Sequence, residues 1–76
     1  MQELDLIIFL RLLVGRKVRL ADGLGDNSCD GELVELMVNA EARFGVRVND
    51  TLTALFRIGK NTSLVIDASG FVQINL

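Results

Sequence analysis

The side chains whose spacing in this chain suggests chemistry are arginines. Arg43, Arg47 and Arg57 fall on odd positions of a stretch whose even positions are apolar, so an extended backbone sets them on one polar face. Antiparallel pairing of the two segments that carry them puts Arg43 opposite Arg57. Like charges directly opposite each other are unfavourable unless something anionic lies between them. Phosphate is the functional candidate, because a guanidinium offers its oxygens a fork of donors. The competing reading is a solvated face on which Glu35 and Glu41 neutralise the arginines, as exposed ion pairs commonly do.

Other chemistry finds little support. The chain has no His and a single Cys, so the usual general base and both usual catalytic triads are missing. A disulfide scaffold or a zinc knuckle would need more ligands. Asp22, Asp26, Asn27 and Asp30 lack the EF-hand spacing and its closing Glu, and read as a solvated loop. Gly23-x-Gly25 is too short for a nucleotide-binding fingerprint, and Cys29 reads as an incidental thiol. The expectation is a protein that is not an enzyme and uses no cofactor and no metal.

The elements that must position the arginines follow from length and pattern. Seventy-six residues make one domain, 1–76, with 50% hydrophobic residues and a net charge of −2. The apolar run Leu6 to Val14 is too short to span a bilayer and carries Arg11. Acidic Glu3 and Asp5 precede it, unlike a signal peptide. The expected setting is cytoplasmic, with no membrane, and the lone cysteine agrees with a reducing compartment. Residues 1–15 read as an N-terminal helix ended by Gly15, with a strand as alternative. A short strand follows over Arg16 to Ala21. A Gly/Asp-rich loop then covers residues 22–31.

From Val34 to Val48 every even residue is apolar, and the period of two resumes at Leu52, Leu64 and Val72. Turn signals recur at Asn39-Ala40-Glu41, Asn49-Asp50-Thr51, Gly59-Lys60-Asn61 and Ala68-Ser69-Gly70. Three-residue loops there preserve parity, so that Val38 faces Ala42, Val48 faces Leu52, Ile58 faces Thr62 and Ile66 faces Val72. A helix over Glu32 to Phe44 competes, since Leu33, Leu36, Met37, Ala40 and Phe44 also make a helical stripe. The strand reading predicts a β-meander over 32–76. So short a chain buries only one face of such a sheet unless the sheet curls shut. The predicted fold is therefore all-β: a small SH3-like barrel of five to six short antiparallel strands behind an N-terminal helix. Its leftover apolar surface predicts a homo-oligomer.

The run Leu12-Leu13-Val14-Gly15-Arg16-Lys17-Val18-Arg19-Leu20, then Asp22-Gly23 and Gly31-Glu32-Leu33, resembles the first motif of the Sm-like family of small barrels. Phe56-Arg57-Ile58-Gly59-Lys60-Asn61 is similar to its second motif. The resemblance implies a self-associating barrel that binds RNA, with Asn39, Arg43, Arg47, Arg57, Gly59 and Lys60 as the RNA-binding residues. Two further resemblances stand beside it. Glu41 to Asp50 looks like the end of the second helix of an acyl carrier protein, which would make Ser28 the attachment site. Ile8 to Leu20 is similar to the first hairpin of a ubiquitin-like β-grasp, with Glu32 to Phe44 as its helix. The acidic balance favours a protein-interaction or assembly module without nucleic acid.

Overall fold

A computed structural model describes residues 3–22 and 27–76. The chain runs α1 (Glu3–Leu13), β1 (Lys17–Ala21), β2 (Ser28–Val38), β3 (Glu41–Arg47), β4 (Thr53–Phe56), β5 (Ser63–Ile66) and β6 (Val72–Asn75). The ambiguous N-terminal segment is helical. Leu6, Leu10 and Leu13, at spacings of four and three, bury one stripe of it against the sheet. Gly15 ends the helix at φ +93°, a conformation that suits glycine. Its N–H then donates to Leu33 O at 2.8 Å, and Leu33 N–H donates to Arg16 O at 2.9 Å. These two bonds turn the chain directly from helix into sheet.

The six strands form one sheet in the order β4-β3-β2-β1-β6-β5. Neighbours pair antiparallel except β1 and β6, which run parallel with Val18 beside Val72 and Leu20 beside Ile74. The sheet is mixed and open. β4 and β5 are its two edges and no ladder joins them, so the predicted closed, all-antiparallel SH3-like or Sm-like barrel is overturned. The β-grasp resemblance falls with it, because Glu32 to Phe44 is a hairpin and not a helix. The physical reason is α1. The apolar face that barrel closure was to shield is instead covered by the helix, with Leu10, Val18, Leu33, Val46 and Ile74 fully buried between the two layers.

The sheet is nevertheless curled. Laid flat, its edges would stand roughly 24 Å apart at about 4.8 Å per strand. The chain crosses from edge to edge in the seven Cα steps from Phe56 to Ser63, which only a fully extended backbone would stretch to about 24 Å. That connection is folded back, since Thr62 N–H donates to Gly59 O at 3.2 Å.

The hairpin between β2 and β3 also departs from expectation. Val38 pairs with Glu41 rather than facing Ala42. The turn has two residues, Asn39 at φ 50° and Ala40 at φ 64°, both left-handed as a type I′ turn requires. A two-residue turn reverses the parity that a three-residue loop keeps. Leu33 therefore shares the helix side of the sheet with Phe44 and Val46, while Val34, Leu36 and Val38 move to the opposite side near Leu55. Two of the other predicted pairings agree with the structure: Val48 N–H donates to Leu52 O, and Ile66 pairs with Val72. The third does not, because β4 and β5 lie at opposite edges and Thr62 bonds Gly59 within the connection where Ile58 was to face it across a hairpin. The expected loop at 22–31 is shorter than predicted, because Ser28 to Gly31 already belong to β2. Gly23-x-Gly25 and Asp26 lie outside the described residues.

Candidate binding surface

Four of the eight cations in the sequence are held in ion pairs. Arg19 holds Asp30 through two bonds of 2.7 and 3.1 Å, and its guanidinium carbon lies 5.5 Å from the Phe71 ring centre. The Arg19 hydrogen bond draws the Asp30 carboxyl below its ordinary range. Arg47 pairs with Glu32, Arg11 with Glu35 at 3.1 Å, and Arg43 with Glu41 at 3.1 Å. Neutralisation by carboxylates is therefore the observed state of Arg11, Arg19, Arg43 and Arg47. A nucleic-acid backbone would have to displace each of these partners. Together with the open sheet, this overturns the RNA-binding reading and the Sm-like premise behind it.

Arg57, like Arg16, Lys17 and Lys60, has no ion-pair partner among the described residues. The ladder of β3 and β4 ends at Phe44↔Phe56, one step short of the predicted Arg43–Arg57 pair, and both arginines line the hollow at its end. Beyond that pair, Ala42 and Ile58 are next in step but make no backbone bond to each other. The ladder has ended here, and its open end borders a cavity.

That cavity is about 340 Å³. Its apolar lining comes from Ile7 of α1, Ala42 and Phe44 of β3, Phe56 of β4, and Ile58. Arg11, Glu41, Arg43 and Arg57 provide its polar groups. Phe44 and Phe56 stack with ring centres 6.5 Å apart and an interplanar angle of 27°, and both are almost fully buried. They make a rigid floor. A second hollow of about 360 Å³ adjoins the same two arginines and adds Val38, Asn39 and Leu55. The side chain of Arg43 is only 24% exposed, whereas its partner Glu41 is 70% exposed.

Of the residues predicted as a site, Asn39, Arg43 and Arg57 therefore come together. Arg47 lies at the far end of β3. Gly59 and Lys60 are exposed in the edge-to-edge connection and line neither hollow. Ser28 opens a strand, not a helix, which removes the carrier-protein reading. Sequence reasoning missed Ile7, Arg11 and Ile58. The one available signal was an arginine inside an otherwise aliphatic run, which marks the place where a buried helix face meets a polar rim.

A second feature is the outward stripe of α1. Leu4, Ile8 and Leu12, four residues apart, are 67%, 54% and 76% exposed. Phe9 adds to this patch. No helix among the described residues is long and apolar enough to cross a membrane. No protein-family model, curated protein or solved structure matches this chain.

Proposed function

We propose that the protein is a non-catalytic binding module, and that the arginine-rimmed mouth where the ladder of β3 and β4 ends takes an anionic ligand. One observation carries this reading. Arg57, without a counter-ion among the described residues, lines one hollow with Arg43 and the stacked phenylalanines. Two guanidinium groups at neighbouring strand positions repel unless an anion joins them. A concave, mostly apolar lining with a few convergent charges is the usual form of a ligand site.

The test is a titration of the full chain with p-toluenesulfonate, an aromatic anion, followed by amide chemical shifts. Shifts should centre on Ala42 to Phe44 and Phe56 to Ile58 and weaken with added salt. Arg57→Ala should lower affinity at least fivefold, and Lys60→Ala should leave it unchanged. Equal binding by the Arg57 variant, or shifts confined to α1, would refute the site.

A second reading concerns assembly and rests on α1, not on a ring of barrels. The outward stripe is symmetric about Ile8. In an antiparallel pair of helices crossing there, Leu4 of one copy meets Leu12 of the other, and Asp5 meets Arg11. Such self-complementarity is what a two-fold interface requires. Sedimentation velocity tests it. Asp5→Arg alone and Arg11→Asp alone should each weaken pairing, and the double exchange should restore it. A chain that stays monomeric at millimolar concentration removes this reading.

A further inference from the structure

The mouth already holds one anion, and it belongs to the protein. Glu41 sits at the end of the β2–β3 turn, two residues before Arg43 on the same strand, and its carboxylate accepts a hydrogen bond from Arg43 Nη2 at 3.1 Å. The carboxylate side of this pair is largely in water. An exposed pair of this kind holds weakly, because screening and side-chain entropy offset most of the Coulomb attraction. A ligand carboxylate placed deeper, against Arg43 and Arg57 together, would gain a second guanidinium that Glu41 does not engage.

Resting on the reading of this mouth as an anion site, we propose that Glu41 is an internal stand-in for the ligand's head group, and that the ligand is an aliphatic monocarboxylate. Its head bridges Arg43 and Arg57. Its chain lies between Ile7, Phe44, Phe56 and Ile58. Charge complementarity sets the head. Three arginines, Arg11, Arg43 and Arg57, stand at the rim with two carboxylates, Glu35 and Glu41, which stay beside it when a ligand displaces one of their bonds, so the net charge of this group is +1. A singly charged head matches it, where a phosphate dianion would exceed it. The lining sets the tail, since the wall residues other than the rim charges are apolar. The end of the β3–β4 ladder gives the tail its entrance, because Ala42 and Ile58, beyond the last paired residues, both line the hollow.

The experiment titrates the full chain with hexanoate, octanoate and octanol, again read by amide shifts. Octanoate should bind at the mouth and octanol at least tenfold more weakly. Each CH₂ that is fully buried tightens binding by about fourfold, so hexanoate to octanoate should gain at least threefold in this half-open site. Glu41→Gln, an exposed change at a turn, removes the competing carboxylate and should tighten octanoate binding two- to fivefold. Arg57→Ala should weaken it at least fivefold. Octanol binding as well as octanoate, or a Glu41→Gln variant of unchanged affinity, would overturn the proposal. If p-toluenesulfonate binds at the mouth and octanoate does not, the aliphatic carboxylate is wrong while the anion site stands. If neither binds, both fail.

Discussion

Replacing Ala40 by glycine tests the feature on which the two faces of the sheet depend. Ala40 holds φ 64° in the second position of a two-residue turn whose first residue, Asn39, is at φ 50°. Asparagine tolerates that region, but a Cβ there approaches the following carbonyl and costs about 1–2 kcal/mol. Glycine removes that cost. It also widens the unfolded ensemble, which takes back about 0.4–1 kcal/mol. The net expectation for Ala40→Gly is a gain of about 0.5–1 kcal/mol. At about 4–8 °C per kcal/mol for a domain of this size, the melting temperature should rise by about 2–8 °C. Thermal and urea unfolding followed by circular dichroism measure both quantities, with an unchanged m-value showing that compactness is the same. A loss of stability would refute the reasoning. Glycine destabilises residues that sit in ordinary extended or right-handed backbone, so that result would point to the three-residue loop. It would return Val34, Leu36 and Val38 to the helix side.

Other perturbations probe the packing and the charges. A Cβ added at Gly31 would overlap the Arg47 carbonyl oxygen, whereas one at Gly59 meets nothing within 4 Å. Gly31→Ala should therefore cost about 3 kcal/mol or more and Gly59→Ala less than about 0.5 kcal/mol, read from urea midpoints. Leu10, fully buried, should lose about 2–5 kcal/mol on truncation to alanine, while Leu12→Ala on the exposed stripe should change stability by about 0.5 kcal/mol at most. Acid should destabilise the fold through Asp30 and Asp67, whose carboxyls are held below their ordinary values by the Arg19 hydrogen bond and by the Ser69 hydroxyl respectively. A folded value below the unfolded one gives stability that is complete above the unfolded value, about 3.9, and that is lost as pH falls through the folded one. Asp67→Asn should flatten the decline of the urea midpoint between pH 5 and pH 2, and an unchanged slope would exclude Asp67 as a contributor.

How far the sequence could be read depends on the scale of the feature. Strands β2 to β6 were legible because a period of two reports backbone extension directly. Two local pairings were legible because their turn residues match the loops found. Which strands become neighbours was not. Alternation is the same whether β6 lies beside β1 or beside β4, and only the three-dimensional covering by α1 decides. The parity error had a single cause in Asn39-Ala40-Glu41. Asn-Gly in that place would have announced a two-residue turn, but alanine in a left-handed conformation gives no such signal. The meeting of Arg43 and Arg57 was legible because it rests on the β3–β4 register, which the Asn49-Asp50-Thr51 turn sets. The apolar half of the same mouth was not, since Ile7 and Ile58 arrive from a helix and a connection far apart in the chain.

The parallel ladder of β1 and β6 has a mechanical consequence. Tension applied ahead of β1 and beyond β6 drags these two strands in opposite directions along their own lengths. Val18↔Val72 through Ala21↔Asn75 would then be loaded together, in shear, and no single bond at one end could yield first. The antiparallel hairpin of β5 and β6 responds differently when its ends are drawn apart, because its bonds open one after another from the mouth. The same small sheet should thus resist stretching along the first of these directions and unzip easily along the second.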